Sequence, residues 1–508
     1  MLGYNLNISL KTIFYFLLVI LIGQHILVFF TINLNYLDDD QIIMWLGAKD
    51  YSRGIFHEPR FYGQAYNTFM EALLAVPFMW FKMPVYFAVP LATHIIFLTP
   101  FLFTAFYLLK HKLEEKAIFV LLLLLCMPVG YDVMTSIPRG FITGTFFTLF
   151  FVINLLRPNN YKFIFINTLF SLIGYLVNPN SLLISVPFLF YLFLHNYRDK
   201  KYYLISFAGL FAAIPFELLL NQFYRSHPEH IVYTFDNAFK WSYFEKAISR
   251  LDAHFGHIGL FIEGSCAITL ILFVFVGTYF FKTNKKWFYS FCLFLFILFG
   301  SLFFQKISHG GSWPFFSLSR MFIAVPVFYL CSVVLIRYPL KKLVPTFTLI
   351  TLIFTGIKLF NYQSKIENYG LEKNWVDVNI FSLENAFHQS NSLKSVCKEY
   401  NTNMVMIVGW SWRDNTINYG GPALNDDYPK TFKPHFERRR WRTDEELNRV
   451  NPDFIIYTRY NNLDSLCAAK YKDVNIQRVN EWGTFYVYNN KKTTLDFLRY
   501  IHAETLGF

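Results

Sequence analysis

"YNTFMEALLAVPFMWF", residues 66 to 81, decides how this chain is threaded. The stretch is apolar but short, and it carries Glu71 and Pro77, whereas a helix needs about 20 apolar residues to cross the hydrocarbon core. Counted as a crossing, it turns every basic loop that follows outward. Read as a helix lying in the outer membrane interface, it belongs to a long first external loop from about 32 to 84, and the basic loops stay inside.

Those loops are "KHKLEEK" (110–116), "RPNNYK" (157–162), "RDKK" (198–201), "KTNKK" (282–286) and "RYPLKK" (337–342). They occupy every second gap between apolar stretches near 12–31, 85–109, 117–131, 140–156, 163–178, 181–195, 203–221, 259–281, 287–304, 320–336 and 343–360. That is about eleven transmembrane helices, several of them short enough to need extension by interfacial residues or edges other than these. Short loops rich in Lys and Arg remain cytoplasmic. The N-terminus is therefore expected inside and the region after residue 360 outside. The first span lacks a small-residue cleavage site after it and reads as a retained anchor.

Composition agrees with a polytopic α-helical membrane protein. Of 508 residues, 54% are hydrophobic and only 16% charged, against about 25% charged in soluble proteins. From about Asn361 onward the character changes, with polar residues between strand-like runs "NMVMIVGW" (403–410), "DFIIYTRY" (453–460) and "GTFYVYNN" (483–490). The chain thus divides into a transmembrane domain, 1–360, and a small extracytoplasmic α/β domain, 361–508. The formal charge of +12 partly records the cytoplasmic anchors, and no basic stripe with interleaved base-stacking aromatics points to nucleic acid. "FERRRWR" (436–442) fits either a solvated or lipid-headgroup-facing edge or an anionic partner. Cys397 and Cys467 both fall outside the membrane on this reading, and spacing leaves a disulfide between them open.

Three external segments gather polar groups at one membrane face. The first loop opens with "LDDDQ" (37–41) and continues to "HEPRFYGQAY" (57–66); the second, "GYDVMTSIPRGF" (130–141), holds Asp132 and Arg139. The third, "QKISHGGSWPFFSLSRMF" (305–322), holds Lys306, His309 and Arg320. A run of three Asp after a helix is ordinarily a solvated stop, and one of them can cap the amphipathic helix that "QIIMWLGAKDYSRG" is able to form. Capping explains one Asp, not three. Carboxylates beside arginines suit chemistry in which an acceptor loses a proton and an anionic leaving group is neutralised. Arginine binds phosphate through its bidentate fork. Histidines in the loop 222–258 (His227, His230, His254, His257) lack the spacing that sets two imidazoles on one helical face, so no metal site is assigned. No glycine-rich nucleotide loop is present.

The order of first span, acidic pair opening a long loop, interfacial helix, second acidic residue beside a proline, many spans and a C-terminal extracytoplasmic domain resembles the GT-C membrane glycosyltransferases. Within them it is most similar to the protein mannosyltransferase and aminoarabinose transferase group. Asp39 and Asp40 match the Asp-Glu pair, with Asp in place of Glu. Glu58 in "FHEPRFYGQAY" takes the second acidic place without the usual double proline, and "SLSRMFIAVP" resembles the Arg-plus-aromatic entry to a late span, with Met321 where an aromatic is common.

The resemblance implies inverting transfer from a polyprenyl-phosphate-linked sugar to a lipid, envelope glycan or protein acceptor at the extracytoplasmic face of a bacterial inner membrane, without a cofactor. It makes Asp39 the general base, with Asp40 and Glu58 as further catalytic carboxylates. Arg320, Arg139 and Arg60 would hold the donor phosphate. His57, Tyr62, Gln64, Tyr66 and His309 would contact substrate. Two rivals remain: a transporter of lipid-linked sugar, which expects ionisable groups within the spans, and a noncatalytic envelope scaffold.

Overall fold

The computed structural model describes residues 9–64, 67–230, 238–371, 381–408, 416–432, 450, 453–458, 463, 465, 475–480, 484–488, 493 and 496. Tyr66, Cys467 and the arginine run at 436–442 lie outside the described residues.

The chain begins with α1 (Leu10–Val28), whose last turns widen into a π-helical segment ending at Asn33. There follow α2 (Asp39–Ser52), α3 (Met70–Trp80), α4 (Val85–Lys110), α5 (Glu114–Leu125), α6 (Val129–Ser136), α7 (Thr143–Phe146), α8 (Phe151–Leu156), α9 (Tyr161–Val177) and α10 (Leu182–Asn196). The remaining helices are α11 (Lys200–Ser226), α12 (Trp241–Ile248), α13 (Leu251–Phe255), α14 (Ala267–Thr283), α15 (Lys285–Ser301), α16 (Val325–Leu335), α17 (Val344–Phe360), α18 (Tyr362–Leu371), α19 (Leu383–Glu399) and α20 (Gly421–Leu424).

Among the described residues four helical stretches are long and apolar enough to cross a membrane: Leu10–Asn33, Val85–Lys110, Lys200–Ser226 and Leu318–Leu335. The chain is an integral membrane protein. Its α11 shows why: Leu204, Phe207, Phe211, Leu218 and Leu219 are all exposed, a continuous apolar surface that only lipid or another apolar face would cover. The expected count of about eleven spans is not reached by length. Helices lie over each anticipated stretch, but 117–131 is α5 and α6 bent by 90° at the break around Pro128, and 140–156 divides into α7 and α8. In the stretch 259–281 the helix starts only at Ala267. Local polar capping and Pro or Gly breaks override the hydropathy of a window.

The segment that decided the threading forms α3, 11 residues long. At 1.5 Å per residue it extends about 16 Å, too short to cross. It packs on α2 and α4 through Ala72 and Ala75.

A five-stranded sheet stands after the helical bundle, in the order β4-β3-β5-β7-β6. Its strands are β3 (Met404–Val408), β4 (Lys430–Phe432), β5 (Phe454–Thr458), β6 (Asn475–Asn480) and β7 (Thr484–Tyr488). Strands β3, β4 and β5 run parallel, and β6–β7 is an antiparallel pair added to β5. Two further short strands, β1 (Tyr36–Leu37) and β2 (Phe381–Ser382), pair antiparallel and tie the start of the first long loop to α19.

The C-terminal unit does more than adjoin the bundle. Leu383, Ala386, Tyr419 and Ala423 join Leu37, Ile42, Trp45 and Leu46 in one buried cluster, and Asp426 lies 2.6 Å from Lys49 and 2.7 Å from Arg53. For this reason α2 is not the amphipathic surface helix its sequence resembles. Ile42 through Ala48 are all buried, because α3 and α4 cover one side and the C-terminal unit the other.

Candidate functional site

The acidic run is built into the start of α2. Asp38 is the N-cap: the Gln41 N–H donates to its carboxylate at 2.9 Å, while the Gln41 side chain accepts from the Asp38 N–H at 3.2 Å. This is a capping box, which satisfies two helix-end donors reciprocally. Of the three Asp, Asp38 is thus the one that caps the helix. Its second oxygen lies 3.1 Å from Nη1 of Arg139, and Asp40 Oδ2 lies 2.6 Å from Nη2 of the same guanidinium. Arg139 also donates to the Phe315 carbonyl at 2.6 Å. Burial holds the Asp38 carboxyl above the usual carboxylate range, against the downward pull of Arg139. Asp39, the first residue of α2, is buried between these two.

The backbone that carries Arg139 is pinned from three directions. Gly140 has φ of 76° and donates its N–H to Glu71 on α3 at 2.7 Å. A Cβ there would meet Asn67 at 3.2 Å, so glycine is required by both dihedral and space. Asn67 donates to the Arg139 carbonyl at 3.2 Å, and Asn178 donates to both Asn67 and the Gly140 carbonyl. Burial pushes the Glu71 carboxyl up to about 8, so it stays protonated at neutral pH.

Arg320 reaches the same place from the other side. Its Nη1 donates to the Ser317 carbonyl at 2.6 Å and its Nη2 to the His309 carbonyl at 2.6 Å. Its guanidinium carbon lies 4.0 Å from the centre of the Phe316 ring and 5.5 Å from that of Phe141. Arg139 lies 5.0 Å from Phe141 and 5.3 Å from Phe316. Two arginines therefore share two aromatic rings. Gly310 leaves room for this, since a Cβ there would come within 2.4 Å of Arg320 Nη1. Lys306 completes the group: burial, together with the charge of Arg320 and Arg139 and against that of Asp40, pushes its amine down to about 6.

Glu58 lies in a second group of polar residues. It accepts from the Gly63 N–H at 3.3 Å and from the Tyr224 hydroxyl at 3.1 Å, with His230 at 3.9 Å. The Arg60 N–H donates to the same Tyr224 hydroxyl at 3.3 Å. Tyr62 donates to Asp50 at 2.9 Å, with His57 3.7 Å from that carboxylate. The Gln64 N–H closes the turn on the Phe61 carbonyl at 2.8 Å.

The structure thus brings Asp40, Arg139, Arg320 and the His309 backbone together, and gathers His57, Glu58, Arg60 and Tyr62 in a loop that reaches Arg139 through the Phe61–Asn67 and Asn67–Arg139 hydrogen bonds. Asp50, Tyr224 and His230, which join the second group, were not anticipated. Nor were Phe141 and Phe316, although the i, i+4 spacing of Phe316 and Arg320 in "FFSLSR" was a readable signal. Asp132, from the same segment as Arg139, is partnered between helices: Lys358 of α17 lies 3.2 Å away, and Gln24 of α1 donates to both carboxylate oxygens at 3.1 Å. Among the described residues no group of three or more His, Cys, Asp or Glu is arranged to hold a metal ion.

No protein-family model matches the chain, and no curated protein sequence matches it. Two solved structures of ArnT from Cupriavidus metallidurans share its fold: one in the apo state and one bound to undecaprenyl phosphate. Each gives a TM-score of 0.58 at 11% sequence identity, covering 93% of this chain and 97% and 98% of the ArnT chains. The likeness is one of GT-C-like architecture across nearly the whole length.

Proposed function

We propose that this protein is a membrane glycosyltransferase that moves a sugar from a polyprenyl-phosphate carrier to an acceptor at the extracytoplasmic face, with inversion. The observation that carries the proposal is the buried pair of arginines sharing Phe141 and Phe316 beside the acidic start of α2. Undecaprenyl phosphate in the ArnT neighbour supports a lipid phosphate as the leaving group here.

In the proposed step an acceptor oxygen forms a bond to the anomeric carbon from the face opposite the phosphate. The bond from that carbon to the phosphate oxygen breaks, and its electron pair leaves with the lipid. The acceptor proton passes to Asp39, the buried first residue of α2. A phosphodiester with one negative charge becomes a monoester with two. Charge therefore grows on the phosphate in the transition state, and cations positioned for it lower the barrier more than they tighten substrate binding. Arg320, Arg139 and Lys306 supply those cations, while Asp38 and Asp40 orient the Arg139 fork. Glu58 and its hydrogen-bonded neighbours would serve the acceptor side.

A lipid-linked sugar transporter is the second reading, favoured by the Asp132–Lys358 pair buried among α1, α6 and α17. One experiment separates the two. Purified protein in liposomes is supplied with labelled polyprenyl-phosphate sugars and candidate acceptors, and wild type is compared with Asp39→Asn. Transfer by wild type and its loss in a folded mutant is the expected result. Equal transfer by both removes Asp39 as base, and movement of the lipid without transfer favours the transporter.

A further inference from the structure

A cavity of about 260 Å³ lies in the C-terminal unit, away from the arginine pair. One wall is a stripe of α19 formed by Asn385, His388, Gln389 and Ser392, at spacings of three and four residues, which places them on one helical face. The opposite wall is Tyr457, near the end of β5, and Thr484, its cross-strand partner at the start of β7. Leu393 and Ile417 form the apolar remainder.

The chemistry of the lining is specific. None of the described lining residues is Asp, Glu, Lys or Arg. A charged ligand would meet no fixed countercharge among these side chains. Amides and hydroxyls both donate and accept, which matches sugar hydroxyls, and Tyr457, Leu393 and Ile417 offer surface to the C–H face of a ring. The volume falls below the roughly 300–1,000 Å³ of sites for drug-sized ligands, so one sugar residue fits better than an extended chain.

The cavity is also mechanically joined to the arginine site. Ile417 lies in the single turn Thr416–Gly420, whose Tyr419 is buried in the cluster with Trp45 of α2. The same helix begins at Asp39. We infer that this cavity binds one neutral sugar residue of a carbohydrate-bearing acceptor and so holds the acceptor relative to α2. The word acceptor rests on the proposed transferase reading; carbohydrate binding does not.

The test uses the full-length protein in lipid nanodiscs and saturation-transfer NMR with methyl glycosides of neutral hexoses and N-acetylhexosamines, alongside glucuronic acid and a neutral tetrapeptide. Neutral glycosides should receive saturation. Ser392→Trp, which fills the cavity from an exposed helix position, should abolish the signal, and Gln389→Ala should weaken binding about tenfold. Thermal unfolding of both variants checks that the fold is kept. The inference is overturned if no neutral glycoside binds, if only the peptide or glucuronic acid binds, or if Ser392→Trp binds as wild type does. Failure of the transferase reading looks different: glycoside binding that Ser392→Trp removes, without transfer from any polyprenyl-phosphate sugar, leaves a carbohydrate site and no enzyme. Transfer without glycoside binding removes this site and leaves the enzyme.

Discussion

Arg139 and Arg320 carry like charges yet hold their guanidinium groups against the same two rings, Phe141 and Phe316, at 4.0 to 5.5 Å. The negative ring faces attract both cations, and Asp38 and Asp40 offset the charge of Arg139. On the proposed function, the lipid phosphate is the anion whose oxygens meet these guanidinium groups.

Replacing Arg320 by Lys keeps the charge but removes the fork that spans the Ser317 and His309 carbonyls. On the proposed function, transfer falls about 10²- to 10³-fold, the usual loss for one donor to a developing anion. The reconstituted transfer assay measures it, and an unchanged rate would take Arg320 out of the phosphate site.

With its amine pushed down to about 6, Lys306 is largely neutral at pH 7. A lipid phosphate favours the protonated amine, so binding should take up a proton between pH 7 and 8, and affinity should fall as pH rises above about 6. Calorimetry of undecaprenyl phosphate binding in buffers of different ionisation heat reads the proton count. Lys306→Met should abolish the uptake.

Glu71 gives a stability signature of definite sign. Its carboxyl is raised from 4.5 to about 8, so the folded state keeps a proton that the unfolded state releases. Its contribution is full below about 4.5 and is lost as pH rises to about 8. Glu71→Gln should flatten thermal stability across that window. Glu71→Ala, which leaves the Gly140 N–H without its acceptor, should cost about 1–3 kcal/mol.

Breaking the Asp132–Lys358 pair by Lys358→Met should destabilise the protein by about 3–5 kcal/mol, because a buried carboxylate loses its partner. The double variant Lys358→Met, Asp132→Leu should recover most of that. Denaturation of all three proteins in the same detergent decides it; a double variant no better than the single one would mean the charges do not act as a pair.

The seam between α2 and the C-terminal unit should depend on packing rather than charge. Asp426→Asn removes an exposed ion-pair partner and should cost less than about 1 kcal/mol. Ala423→Trp forces an indole into the buried cluster around Trp45 and should loosen the seam. Hydrogen exchange along α2 distinguishes them, with increased exchange expected only in the second.

Periodicity and charge in the sequence carried most of the fold. Unbroken apolar runs marked the helices because hydropathy acts locally, and the strand-like runs at 403–410, 453–460 and 483–490 marked β3, β5 and β7. Breaks within those runs escaped notice: the 90° bend between α5 and α6 follows from where their neighbours lie, not from window averages. At the site, residue types were legible and partnerships were not. Which Asp caps α2, and that Asp38 meets Arg139, 101 positions away in the chain, cannot be seen in a linear run.

By itself, then, the sequence determined that this is a membrane protein with a polar face assembled from three loops, since solvent partition depends on composition and span length alone. Only the tertiary structure decided which loop residues meet. It joined Arg139 to Asp40 and, through Phe141 and Phe316, to Arg320, paired Glu58 with Tyr224, and set Asp132 against Lys358. Long-range pairing of buried charges depends on how helices stack and on which backbone carbonyls surround each cation, and neither quantity is written in a residue's neighbours along the chain.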